Sequence, residues 1–254
     1  MDLGLWGKAV FVTGASSNIG RATAAAFGAE GARVAIGYHS AKDEAEHTAE
    51  LVERGGGRAM TVRMDLGDQA SVEAAAAEVA GAFGGVDVLV NNAVAWPGFP
   101  APGEVFETVP VERMRASLDA NLFGHYLLTR AVVGSMRART WGRIVHVSTG
   151  LVQDGLPGAS PYVTPKSGLH GLTRTMSREL ASAGILTNLV MAGFVVGERD
   201  LPAEMIAKAS AAAATGRTTA AAEVARLIVF LCSEANGNVT GELIRADGHF
   251  LAPL

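Results

Sequence analysis

The stretch Lys8-Ala9-Val10-Phe11-Val12-Thr13-Gly14-Ala15-Ser16-Ser17-Asn18-Ile19-Gly20 decides how this chain is read. A short β-branched run passes without a linker into a glycine turn, and a stretch with helical apolar spacing, Ile19–Gly31, follows at once. Strand, glycine turn and helix in that order is the context in which a phosphate is bound. Gly14 permits the tight turn and Gly20 lets helix and strand pack closely. The helix start presents backbone amides and the positive end of its dipole to an anionic pyrophosphate. Ser16, Ser17, Asn18 and Ile19 complete the loop as candidate cofactor contacts. Asn18 fills a slot where glycine is expected, and asparagine enters left-handed conformations more readily than most residues.

The same alternation continues outward. Lys8–Thr13, Arg33–Gly37, Arg58–Arg63, Val86–Asn91, Gly142–Ser148, Ile185–Met191 and Glu242–Ala246 read as seven interior strands. Ile19–Gly31, Ala41–Gly55, Asp68–Phe83, Val111–Ala138, Ser160–Ala183 and Ala220–Ser233 read as the helices between them. This repetition predicts one domain over residues 1–254, a doubly wound (Rossmann) α/β fold with a seven-stranded parallel sheet flanked by helices. Its ligands should lie beyond the carboxyl ends of the strands. Ala203–Gly216 is Ala-rich, carries little core patterning, and reads as part of a substrate lid over 195–216.

Composition excludes several function classes. Among 254 residues, 21 basic and 25 acidic side chains leave a formal charge of −4, which makes no electrostatic case for nucleic acid. A hydrophobic share of 49% is too high for a disordered chain, and the 31 glycines favour sites built from backbone. No run approaches the roughly 18 apolar residues of a membrane helix, and no leader pattern opens the chain, so a soluble cytoplasmic protein is expected. Cys232 has no partner for a disulfide or thiolate site, and six scattered histidines form no metal signature, so no metal is expected.

Tyr162-Val163-Thr164-Pro165-Lys166 carries the chemistry. Four-residue spacing on a helix puts the phenol and the ammonium on one face, where the cation stabilises phenolate. A tyrosine so tuned can protonate a carbonyl oxygen as hydride reaches the carbon, or take the alcohol proton in reverse. Pro165 suits a first helical turn and puts Tyr162 near the strand ends. The apolar residues Trp96, Pro97, Phe99, Pro100, Leu151 and Leu156 are candidate substrate walls.

With these motifs the chain resembles the short-chain dehydrogenase/reductase family. That family's first-loop pattern, Thr-Gly, three variable residues, Gly, one variable and Gly, is matched except at Asn18. Asn91-Asn92-Ala93 matches its Asn-Asn-Ala-Gly box, with Val94 in place of the last glycine; Thr240-Gly241 and Asp247-Gly248 match its closing segment. The resemblance implies that Tyr162 and Lys166 are the catalytic pair and that Lys166 also holds the nicotinamide ribose. It places a substrate-binding hydroxyl thirteen residues before the tyrosine, at Thr149, with Ser148 as the alternative. It also gives Asn121 a place in a water-linked proton path, and Asp65, with Leu66 beside it, a contact to adenine. The family's Pro-Gly and carboxamide-binding Thr are replaced by Ala192-Gly193 and Val195, leaving Gly193 and backbone near Val195 as the nicotinamide anchor.

The end of the second strand selects the cofactor, because a carboxylate there binds a ribose 2′-hydroxyl and repels a 2′-phosphate. Here the segment is Gly37-Tyr38-His39-Ser40, with no acid, so NADPH is expected over NADH; Arg21 and Arg33 are candidates for added positive charge. The resemblance implies an NADPH-dependent reductase acting on a ketone in a 3-oxoacyl thioester, polyketide or related small or carrier-bound carbonyl compound. An NAD-dependent secondary-alcohol dehydrogenase and a non-catalytic nucleotide-binding scaffold are the alternatives. It further implies a homo-oligomer, tetramer or dimer, formed through the helices at 111–138 and 160–183.

Overall fold

The computed structural model describes residues 2–98, 100–101, 103–197 and 201–250. Strands β1 (Ala9–Val12), β2 (Arg33–Tyr38), β3 (Arg58–Arg63), β4 (Val88–Asn91), β5 (Gly142–Thr149), β6 (Ile185–Ala192) and β7 (Leu243–Ala246) form one parallel sheet in the order 3-2-1-4-5-6-7. The order reverses between β1 and β4, so the crevice that a doubly wound sheet uses for ligands opens beyond Val12 and Asn91.

Side-chain alternation along each strand feeds two apolar layers. Val10, Val12, Val34 and Ile36 face one layer, together with Phe27 of α1 (Asn18–Ala29), Val52 of α2 (Lys42–Arg54), and Val224 and Ile228 of α9 (Ala221–Leu231). Phe11, Ala35 and Leu89 face the other, with Val72 and Val79 of α3 (Gln69–Phe83). The same layer takes Leu128 and Met136 of α5 (His125–Arg139) and Met176 of α7 (Ser160–Leu180). Both faces are covered, which is why the strands read as continuous apolar runs rather than alternating ones.

The continuous helix expected over Val111–Ala138 is corrected. The structure divides it into α4 (Val111–Leu118), a π-helical turn (Asp119–Gly124) and α5. The wider turn brings Gly124 against the backbone after β3; a Cβ there would stand 2.3 Å from the Leu66 carbonyl oxygen. π turns of this kind cluster at functional sites, and this one carries Asn121. Two further helices stand near the carboxyl ends of the strands. The one-turn α6 (Leu151–Asp154) directly follows β5, and α8 (Ala203–Ala212) lies within the expected lid. Glu198–Asp200 of that lid, and Phe99 of the expected substrate wall, lie outside the described residues.

Phe27 is fully buried and anchors the helix that presents the phosphate loop. Phe27→Ala should cost about 3–5 kcal/mol, which for a domain of this size lowers the thermal midpoint by roughly 6–15 °C. Calorimetry checks this, and an unchanged midpoint would show that the helix is not held through this contact.

Candidate active site

The turn after β1 is fixed by its neighbours before any ligand arrives. Thr13 Oγ1 accepts from the amides of Asn92 (3.0 Å) and Ala93 (2.9 Å), and Asn92 Nδ2 donates to the carbonyls of Thr13 (3.0 Å) and Gly14 (3.1 Å). These bonds staple the end of β4 to the glycine loop. A Cβ on Gly20 would stand 2.1 Å from Gly14 O, so only glycine lets α1 start so close to the strand. Asn18 opens α1 at φ +47°, the left-handed conformation its residue type tolerates. Its carboxamide lies against Gly197 beyond β6, where any Cβ would collide with it. The first turn of α1 faces the cleft with the positive end of its dipole, a fit for pyrophosphate built almost wholly from backbone.

The cleft measures about 480 Å³ and runs from the turn after β2 to the start of α7. Gly14, Ser16, Ser17, Asn18, Ile19 and Gly20 line its floor, and Tyr38, His39, Ser40, Asp65 and Leu66 one end. Asn92, Ala93, Val94 and Trp96 line its middle, and Ser148, Thr149, Tyr162, Lys166, Gly193 and Val195 the other end. Asn121 is not on the cleft.

At the β2 end, His39 Nε2 lies 3.5 Å from Asp65 Oδ2, and both side chains are more than half exposed. Arg63 pairs with Tyr38 in the sheet register and donates from Nε to His39 O at 3.2 Å, which puts a guanidinium behind the backbone of this end of the cleft, although Arg63 is not itself among the lining residues. Sequence reading missed it, because the signal is the register of β2 on β3. Arg21 holds Ser16 O, Thr48 Oγ1 and the Glu44 carboxylate from the first turn of α1. The expectation that Arg33 adds charge here is corrected. It starts β2, at the opposite end of the sheet, and donates to Gly7 O and Phe83 O.

At the other end, Pro161 occupies the first turn of α7, where a missing amide costs least, and the helix emerges with Tyr162 at the cleft. The expectation that Pro165 belongs to the first turn is corrected: it lies inside the helix, where its missing amide leaves Pro161 O without an intrahelical donor. One turn beyond Tyr162, Lys166 is 3% exposed and donates from Nζ to Val147 O at 2.7 Å. Burial pushes its pKa down from 10.5 to about 8. The penalty against charge is about 3 kcal/mol; it is present in full below pH 8 and fades as pH rises from 8 to 10.5. At neutral pH the side chain is still mostly the ammonium. The Trp96 ring packs edge-on to Tyr162, with centroids 4.9 Å apart. Pro97 and Pro100 surround a small separate hollow with Pro161.

The two hydroxyls at the end of β5 differ in their bonding. Ser148 Oγ is 2.9 Å from His170 Nε2 and 3.5 Å from Lys166 O, turned into the protein. Thr149 Oγ1 accepts from Leu151 N at 3.3 Å, which leaves its proton for another acceptor. Asn121 is fully buried behind the cleft. Its Oδ1 accepts from Ala95 N (2.8 Å), and its Nδ2 donates to Ala95 O and Ser117 Oγ (both 2.9 Å). Ser117 Oγ in turn donates to Pro161 O at 2.5 Å, directly before Tyr162. Deeper still, Asn91 Nδ2 contacts Thr129 Oγ1 (3.0 Å) and His146 Nδ1 (3.2 Å), and His125 Nε2 donates to Ala93 O (3.0 Å). Burial, reinforced by the Lys166 charge, lowers the pKa of His146 to about 3 and that of His125 well below the usual value. Both imidazoles are neutral, so neither sets a second charge against the Lys166 ammonium. No group of three or more His, Cys, Asp or Glu side chains able to hold a metal occurs among the described residues.

Comparison with known proteins agrees with this geometry. Residues 14–250 match the family model described as enoyl-(acyl carrier protein) reductase. The chain is 33% identical over 252 residues to 3-oxoacyl-[acyl-carrier-protein] reductase FabG of Aquifex aeolicus (strain VF5), covering 98% of this chain and 99% of that one. It is 32% identical over 244 residues to FabG of Escherichia coli (strain K12), covering 95% and 96%. Among solved structures, a dehydrogenase/reductase from Sinorhizobium meliloti 1021 superposes with a TM-score of 0.88 at 30% identity, covering 98% of this chain and 96% of that one. Acetoin dehydrogenase YohF from Salmonella typhimurium superposes at 0.86 and 29% identity, covering 96% and 97%. The chain belongs to the short-chain dehydrogenase/reductase family. It is an NAD(P)-dependent oxidoreductase acting on CH–OH/C=O groups.

The buried ammonium yields a direct test. In ligand-free protein carrying ¹³C-labelled lysine, NMR titration should show the Lys166 side chain changing near pH 8. A midpoint near 10.5 would mean that the group is solvated and cannot act as described.

Proposed function

We propose that the protein is an NADPH-dependent reductase that converts the ketone of a 3-oxoacyl thioester, polyketide or related carbonyl compound to a secondary alcohol. The observation that carries this reading is the placement of Tyr162, Lys166 and Thr149 at one end of the cleft whose floor is the glycine loop after β1. When bound, the nicotinamide supplies the hydride. Tyr162 gives its phenolic proton to the carbonyl oxygen, and the Lys166 ammonium one turn away lowers the energy of the phenolate left behind. Thr149 donates its hydroxyl proton to the same oxygen, while Ser148 is occupied by His170 and acts on structure instead. Asn121 is a positioning residue. It fixes the Ala95 backbone beside Trp96 and, through Ser117, the start of α7. Gly193 and the backbone at Val195 hold the carboxamide, Val94 and Ala93 border the ribose, and α8 covers the substrate. Acyl thioesters follow from the likeness to the FabG proteins.

At the β2 end, the absence of a carboxylate at Tyr38, the donors of His39 and Ser40, and the Arg63 guanidinium together favour a 2′-phosphate. The 3.5 Å contact of Asp65 with His39 is the observation that favours NADH, since a nearby carboxylate opposes a second anion. A homo-oligomer is supported by the exposed, stacked pair Phe123 and Tyr126 beside the π turn, with centroids 5.9 Å apart.

Purified protein mixed with NADPH and a panel of 3-oxoacyl thioesters and simple ketones should show loss of dihydronicotinamide absorbance. Tyr162→Phe should lower kcat by about 10³-fold, in the range of general-acid contributions, with circular dichroism unchanged. Full activity in this variant would rule out the mechanism. Arg63→Ala should raise KM for NADPH about tenfold, as expected for one charge-assisted hydrogen bond, and leave KM for NADH within about twofold. Equal effects on the two cofactors would assign the site to NADH.

A further inference from the structure

Arg245 lies near the end of β7, one residue short of its last, and does none of the chemistry described above, yet its guanidinium joins two segments that border the substrate end of the cleft. Nε donates to Asp247 Oδ2 at 2.7 Å, and Nη2 lies 2.6 Å from the same oxygen; the Asp247 side chain is 2% exposed. Nη1 donates to Gln153 Oε1 at 2.8 Å, and Nη2 lies 3.6 Å from Asp154 Oδ2, both partners on α6 immediately after Thr149. Nη2 also donates to Phe250 O at 2.5 Å. The charge is thus shared by the helix after β5 and the turn after β7.

The ion pair is wedged between the two loops whose residues face the reacting centre. A Cβ on Gly150 would stand 2.9 Å from Arg245 Nη2 and 3.0 Å from Asp247 Oδ2, so the residue next to Thr149 rests on the pair. A Cβ on Gly193 would stand 2.7 Å from Asp247 Cα, so the loop after β6 rests on it from the other side. The turn after β7 then runs to the end of α8. Ala214 N donates to His249 O and Thr215 N to Gly248 O (both 3.3 Å), and Ala213 bridges to Phe250. Nε and Nη2 converge on one oxygen of the buried Asp247 carboxylate, and its other oxygen accepts from His249 N at 3.0 Å, so the pair is held from both sides, unlike an exposed ion pair.

We infer that Arg245, with Asp247, is a positioning residue that sets the Thr149 hydroxyl and couples it to the loop after β6 and to the end of the α8 lid. The part concerning catalysis rests on the role given to Thr149 above. The part concerning coupling rests on geometry alone, so the two are measured separately.

Arg245→Met keeps the bulk and removes the fork. Hydrogen exchange followed by mass spectrometry on the ligand-free protein should show faster exchange together in residues 150–155, 193–197 and 213–216, with the distant β3 segment 58–63 unchanged. Faster exchange confined to 243–250 would overturn the coupling. In turnover, Arg245→Met should lower kcat/KM for the ketone about 30-fold, the scale of a misplaced catalytic group. In a Thr149→Val background the same change should cost less than about threefold, because residues acting as one unit are non-additive. Full additivity would overturn the action through Thr149. If Arg245→Met fails to fold, Gln153→Ala with Asp154→Asn cuts only the α6 side of the link. That double variant should speed exchange in 150–155 and show the same non-additivity, and wild-type behaviour in both would overturn the inference. Absence of ketone turnover in the wild-type protein would sink the reading of function, while the exchange pattern would still decide the coupling.

Discussion

One buried cation organises the reacting end of this molecule. Lys166 is taken out of water by the packing of α7 on β5, and Val147 O accepts from its ammonium. Keeping that charge costs about 3 kcal/mol, and the two imidazoles buried near it, His125 and His146, add no repulsion to that cost. His125 and His146 would repel the ammonium if protonated, and burial keeps both uncharged. In the proposed mechanism a cation held in so dry a place would act strongly on the phenol one turn away, since solvent does not screen its field. Pro161 starts α7 beside the cleft, and the carbonyl that Pro165 leaves without an intrahelical donor, Pro161 O, is taken by Ser117 Oγ.

The phosphate end works on a different principle. Little there is charged; backbone held at close quarters does the binding. Thr13 and Asn92 spend their side chains on tying the glycine loop to β4, so the loop is formed before a ligand enters and binding need not pay to order it. The departures from the family pattern fall where the structure absorbs them. Asn18 takes the left-handed conformation that a glycine would take and places its carboxamide against Gly197. Val94 keeps its place on the cleft wall, and Ala192 sits in register between Thr149 and Ala246.

Much of this was legible in the sequence wherever the signal is local. The strand, glycine turn and helix at 8–20 announced the fold, and the motifs at 13–20 and 162–166 named residues that the structure brings to one cleft, because each signal lies within a short stretch of chain. What stayed hidden depends on elements meeting in space. Arg63 reaches the cofactor end only through the register of β3 on β2. The π turn at Asp119–Gly124 answers to a carbonyl at Leu66, more than fifty residues away, and no helical periodicity in 111–138 reports it. Arg33 looked useful by proximity to β2, but it sits at the wrong end of that strand. Thr149 and Ser148 are adjacent in sequence, and the alternation of β5 sends their hydroxyls to different partners, Leu151 N and His170 Nε2, which only the fold brings to them.

The account stands or falls on whether Lys166 acts on Tyr162. The chain has three tyrosines, so a protein carrying Tyr38→Phe and Tyr126→Phe retains one phenol, whose ionisation is read by ultraviolet absorbance. Removing the cation with Lys166→Met in that background should move the ionisation to higher pH. A titration curve identical with and without the lysine would contradict the account.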